Sequence, residues 1–106
     1  MDNGKIMLIF KALSNEVRLS ILQMLKDTET TFPNQIHLQE SDDFHGGACV
    51  GNIQEKIGLS QSTTSQYLAI LHESGLLEKQ RIGQWTYYRR NEETIKQLKT
   101  FIGTNL

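Results

Sequence analysis

Two apolar-striped runs between residues 50 and 75 are joined by Gly58-Leu59-Ser60, and this short join constrains the fold more than any other feature. Val50, Ile53 and Ile57 recur at helical spacing, which predicts a helix over 50–57 with one face on a core. Gly58 permits a sharp turn, Leu59 can pin that turn into the core, and Ser60 is a good N-cap for the next helix. Gly75, after Glu73-Ser74, stands where the residue that ends such a helix belongs. Two helices around a tight glycine turn make a helix-turn-helix. In the second of them Thr64, Leu68 and Leu71 form the apolar stripe, with Tyr67 on its border. The opposite stripe, Ser62, Ser65, Gln66 and Ala69, is short, polar and uncharged. A solubilising surface would carry Lys and Glu instead.

The flanking sequence extends this unit. Residues 5–13 predict a short helix with Ile6, Ile9, Phe10 and Leu13 on one side. Ser14 then caps a second helix, EVRLSILQMLKD, whose core stripe is Val17, Ile21, Met24 and Leu25. Behind the helix-turn-helix, apolar, β-branched and aromatic residues surround Ile82-Gly83-Gln84, the pattern of a β-hairpin. Of Tyr87 and Tyr88, alternation turns one inward and leaves the other outside. Asn91 caps a last helix, EETIKQLKTFIG, with an apolar face of Ile95, Leu98, Phe101 and Ile102. The expected fold is mainly α with a small β-hairpin wing: a winged helix-turn-helix in one domain, 1–106. Its first and last helices lack a shared place in a monomer, so they are expected to pair across a homodimer.

Residues 27–48 interrupt the pattern. They hold the only proline and the Gly46-Gly47 pair, with a weakly alternating IHLQ that predicts at most a short strand. Asp27, Glu29, Glu40, Asp42 and Asp43 fall here with no Lys or Arg, making an acidic loop insert. Removing those 5 from the 12 acidic residues leaves 11 basic against 7, so the rest of the chain is +4 although the whole is −1. No run of about 20 apolar residues exists, which excludes a membrane-spanning helix. The start has a Lys inside its short apolar patch and no small-residue cleavage site, so no signal peptide is expected. A single cysteine rules out an internal disulfide framework and fits a reducing cytoplasm.

A helix with that outward stripe can enter the major groove of double-stranded DNA. Gln66 can make the bidentate amide contact to adenine, and Ser62 and Ser65 can bond to bases or phosphate. The helix N-terminus suits a phosphate. Lys79, Arg81, Gln84, Arg89 and Arg90 lie on or beside the hairpin, in reach of flanking phosphates or the minor groove. The same residues also suit a solvated face, and a winged helix that has lost DNA for a protein partner is the rival reading. Its support is the uncharged stripe and the net charge of −1. An enzyme is the weakest alternative: Cys49 and His45 offer a nucleophile and a base, with no phosphate loop, oxyanion element or acid pair beside them.

ALSNEVRLSILQML, GLSQSTTSQYLAILHESGLL and RIGQWTYYR, in this order, resemble three blocks of the ArsR/SmtB family of dimeric bacterial winged-helix repressors. The resemblance covers about residues 5–26 and 48–102, and Arg18 stands in the place the family's second-helix signature expects. It implies an operator-binding repressor with Gln61, Ser62, Thr63, Ser65 and Gln66 as DNA contacts. Tyr67 stands where the family usually has His. Arsenic-type sensors carry Cys-Val-Cys where this chain has Cys49-Val50-Gly51, so the second thiolate is missing. The zinc-type site needs His on the last helix, which has none. No cofactor and no family metal site are therefore expected, and the sequence names no effector. Two alternatives stay open in the insert. His37, Asp42, Asp43, His45 and Cys49 are metal-ligand types in a spacing that matches no motif, or a solvated acidic loop. Cys49 near a helix start is either a thiol sensor or simple packing.

Overall fold

Asp2 opens the first helix by accepting the Lys5 N–H at 2.8 Å, and α1 runs Asn3–Leu13. The computed structural model describes residues 1–32 and 44–106 of the chain. Next come α2 (Glu16–Met24) and α3 (Thr28–Thr31), then β1 (Ala48–Cys49), α4 (Val50–Ile57) and α5 (Gln61–Glu73). The hairpin β2 (Leu77–Ile82) and β3 (Trp85–Arg90) precedes α6 (Glu92–Asn105). The helix-turn-helix and its wing thus stand where the sequence puts them, with α4 covering the expected residues 50–57.

Several expectations need correction. Ser14 does not cap α2: its hydroxyl donates back to Lys11 O at 2.8 Å and closes α1. Asn15 is the N-cap, its Oδ1 accepting the N–H groups of Val17 and Arg18, both at 3.0 Å. With only two residues between the helices, one must end the first and the other begin the second. α2 stops at Met24, three residues short of Asp27, which instead caps α3 by accepting Thr30 N–H. On α1 the buried residues are Ile6, Ile9 and Ala12, while Phe10 turns outward.

The sheet adds a strand that its two-residue length hid from a period-2 pattern. β1 pairs antiparallel with β3, Ala48 opposite Tyr88 and Cys49 opposite Tyr87, giving the order β1-β3-β2. Side chains pack on both faces of β3, the central strand, so Tyr87 and Tyr88 are both buried rather than one of them. Tyr88 joins the main core of Ile9, Ile21, Ile53, Leu68, Leu71 and Leu76. Tyr87 packs with Phe44 and Cys49 in a smaller cluster on the other face. Gly47 is needed there, because a Cβ would meet the Phe44 ring at 2.5 Å. The insert is pinned at its base, where the Thr28 hydroxyl donates to Gly46 O at 3.0 Å. The IHLQ stretch lies outside the described residues, as do His37, Asp42 and Asp43. Among the described residues no helix is long and apolar enough to cross a membrane.

Candidate nucleic-acid interface

The turn between α4 and α5 is built as its residues require. Gly58 adopts φ 78°, a left-handed conformation that favours glycine, and its N–H donates to Gln54 O at 2.8 Å. Leu59 is half-buried. Ser60 caps α5, its Oγ accepting Thr63 N–H at 3.2 Å and donating to Thr63 Oγ1 at 3.0 Å. The Thr64 hydroxyl bonds to Ser60 O at 2.9 Å and is fully buried, fixing the start of α5 on the core. At the far end Leu76 N–H donates to Leu71 O and Gly75 N–H to His72 O, the paired bonds of a Schellman cap with Gly75 at φ 88°. Both ends of α5 are therefore held, and its outward stripe has one orientation.

Gln61, Ser62, Ser65, Gln66 and Ala69 are exposed on that stripe. Thr63, by contrast, is half-buried and its hydroxyl is engaged in the cap. The N–H groups of Gln61 and Ser62, in the first turn, are of the kind an α-helix leaves without intrahelical acceptors. They point the positive end of the helix dipole outward. On the wing, Lys79, Arg81 and Gln84 are exposed. Ile82 pairs with Trp85 around a two-residue turn in which Gly83 alone has positive φ, 62°. Arg81 lies over this turn, its Nε donating to Gly83 O at 3.2 Å.

Arg89 sits at the wing's base and is tied to the protein. It pairs with Glu78 at 3.0 Å, donates to His45 O at 3.3 Å and stacks 4.2 Å from the Phe44 ring centroid. Arg90 is likewise held, 3.0 Å from Glu92. Of the wing residues named from sequence, Lys79, Arg81 and Gln84 are open to solvent and Gln84 shares a cleft with Gln61 and Ser65 of α5, whereas Arg89 braces the insert's end against β3. Cys49 is 3% exposed, one of the strand residues of the smaller core. Among the described residues no three His, Cys, Asp or Glu side chains gather as a metal site would require.

Two features escaped sequence reading. Arg18 donates from Nε to Ala12 O at 2.7 Å and from Nη2 to Lys11 O at 3.1 Å, capping α1, and lies 5.2 Å over the Tyr67 ring. It thus connects α1 to α5 and gives Tyr67 a role. The second is a cleft of about 440 Å³ between α4, the start of α5 and the wing. Gly51 and Gln54 line it from α4, Gln61 and Ser65 from α5, Gln84 and Trp85 from the wing. The signal available for its α4 wall was the polar spacing of Gly51 and Gln54, opposite the core residues Ile53 and Ile57. Tyr88 forms part of the cleft's inner end, where burial pushes its phenol above the ordinary value of 10.0.

Comparison with known proteins places this geometry among regulators. The family described as "Bacterial regulatory protein, arsR family" matches residues 44–79. The chain is 46% identical over 99 residues to YbzH, an uncharacterized HTH-type transcriptional regulator of Bacillus subtilis, spanning 92% of this chain and 95% of that one. It is 30% identical over 97 residues to the transcriptional activator HlyU of Vibrio cholerae, spanning 92% and 73% of the two chains. Among solved structures, it resembles the homodimeric winged helix-turn-helix DNA-binding domain of a Mycobacterium bovis protein. That match has a TM-score of 0.66 at 27% identity and covers 94% of this chain and 76% of the other.

Proposed function

Because the chain belongs to the arsR family of bacterial regulatory proteins, we propose that it is a homodimeric transcriptional regulator that binds an inverted-repeat operator in double-stranded DNA. The observation that carries this reading is the exposed, uncharged stripe of α5, locked at both ends, together with the exposed Lys79 and Arg81 of the wing. Gln61, Ser62, Ser65 and Gln66 contact the major groove, with Gln66 reading bases and the α5 N-terminus holding phosphate. Lys79, Arg81 and Gln84 meet the flanking backbone or minor groove. Thr63 shapes the helix start, and Arg89 sets the wing's position through Glu78 and Phe44.

The dimer forms through α1 and α6. Met7, Leu8 and Phe10 on α1 and Ile102 on α6 are large apolar side chains at 38–55% exposure, too many for two helices of a monomer to leave in water. A two-fold axis between them sets two α5 helices about one DNA turn apart. A domain bound across promoter DNA represses by occupying it, and repression is the reading retained here; HlyU, named an activator, marks the opposite sign within the similarity. The site of action is the cytoplasm, where the DNA is. A protein-interaction module without DNA is not favoured, because the relatives named above are transcriptional regulators.

Gln66→Ala tests the reading directly. It should weaken binding to the specific sequence by about 1–3 kcal/mol and barely change binding to mixed-sequence duplex. Equal loss on both duplexes would move base reading elsewhere. Leu8→Glu with Ile102→Glu should give monomers in sedimentation, and an intact dimer would displace the interface from these helices.

A further inference from the structure

Gly51 lies in the first turn of α4, where glycine weakens a helix relative to alanine. Nothing in the described fold requires it. A Cβ built there meets no atom within 4 Å, and Gly51 is not among the positive-φ glycines 46, 58, 75 and 83. What glycine supplies is a bare stretch of helix backbone on the wall of the cleft between α4, α5 and the wing. Bare backbone is the usual means of letting a ligand approach a chain closely. The residues lining this cleft include neither carboxylate nor ammonium nor guanidinium. Its polar lining is neutral, with side-chain amides on both sides: Gln54 from α4 and Gln84 from the wing.

We propose that this cleft receives one sugar-phosphate strand of the operator duplex. Gly51 lets the strand approach α4, and Gln54 and Gln84 donate amide N–H groups to its phosphate oxygens from opposite walls. The inference rests on the DNA-binding reading above and extends the interface onto α4. The occupant follows from continuity: Gln61 and Ser65 form one rim of the cleft and the wing forms the other. A duplex that takes α5 into its major groove and meets the wing on its flank must lead a strand between them. Without a carboxylate in the lining, a polyanion enters unrepelled. Without a cation, the bonds it gains release no counterion, so they are insensitive to salt.

The test uses the full-length dimer, urea unfolding and fluorescence anisotropy on two labelled duplexes, one from DNA upstream of its own gene and one of mixed sequence. Gly51→Ala and Gly51→Leu should raise the urea midpoint while weakening binding on both duplexes, by about tenfold for the leucine variant, the equivalent of one or two lost hydrogen bonds. Gln54→Ala combined with Gln84→Ala should lose about tenfold on both, with the slope of log affinity against log salt unchanged. Unchanged binding of the Gly51→Leu variant, a lower urea midpoint for Gly51→Ala, or a reduced salt slope for the glutamine pair would each overturn the cleft proposal while leaving DNA binding intact. Failure of the unmodified protein to bind either duplex would overturn both.

Discussion

Replacing Arg18 with methionine keeps most of the aliphatic stem and removes the guanidinium that links α1 to α5. Its Nε bond to Ala12 O, at 2.7 Å and partly buried, is charge-assisted and contributes about 1.5–2 kcal/mol. The bond from Nη2 to Lys11 O is exposed and adds about 0.5 kcal/mol. Stacking over Tyr67 at 5.2 Å adds about 0.5–1 kcal/mol at a half-buried site. Arg18→Met should therefore cost about 2.5–3.5 kcal/mol in total, lowering the urea midpoint by about 1–3 M. The measurement is urea unfolding at one fixed protomer concentration, since dimerisation contributes to stability. A double-mutant cycle with Tyr67→Leu isolates the ring contact, with an expected coupling of about 0.5–1 kcal/mol. A loss below about 0.5 kcal/mol would be ordinary for a surface residue and would refute the capping role. Zero coupling with Tyr67 would refute the link to α5 alone.

The caps and the wing give further tests. Asn15→Ala should cost about 1 kcal/mol and Ser14→Ala less than about 0.5 kcal/mol in the same unfolding assay, because Asn15 alone caps α2. Gly75→Ala should cost about 1–2 kcal/mol from its left-handed backbone. The nearest side chain to the added methyl, Thr94 at 3.7 Å, is in ordinary contact, so Gly75→Asn should recover part of the loss. Lys79→Ala and Arg81→Ala should each reduce the salt slope of DNA binding by about 0.9, whereas Arg89→Ala should act chiefly on stability. Burial raises the Tyr88 phenol, so the folded state holds that proton more tightly than the unfolded chain. Stability tied to it is complete below about pH 10 and is lost as pH rises through the folded value, and Tyr88→Phe should flatten that alkaline decline in the unfolding midpoint.

What the sequence made legible was local. Gly58, Ser60, Gly75 and Asn91 each mark a helix boundary through their own backbone or side-chain chemistry, and all four act as that chemistry dictates. The hairpin around Gly83 is of the same kind. Ser14 failed because two adjacent capping residues served two helices, a division that depends on where α1 ends. Tyr87 and Tyr88 failed for a tertiary reason: a two-residue strand and Phe44, distant in sequence, cover the second face of β3. At the candidate site, the stripe of α5 was readable from a 3.6-residue period. Arg89 was not, because an arginine's charge predicts solvent or phosphate until Glu78 and the Phe44 ring are seen beside it. Nor was the cleft, since Gln54 and Gln84 meet only through the fold.

The central claim is that α5 and the wing read DNA as a dimer. Fluorescence anisotropy of the purified protein on its own upstream DNA and on a mixed-sequence duplex, each at low and moderate salt, tests it most directly. The account predicts tighter binding to the upstream DNA, two protomers per site, and an affinity that falls with salt on both duplexes. Binding that ignores sequence and salt, or no binding to either duplex, would contradict it.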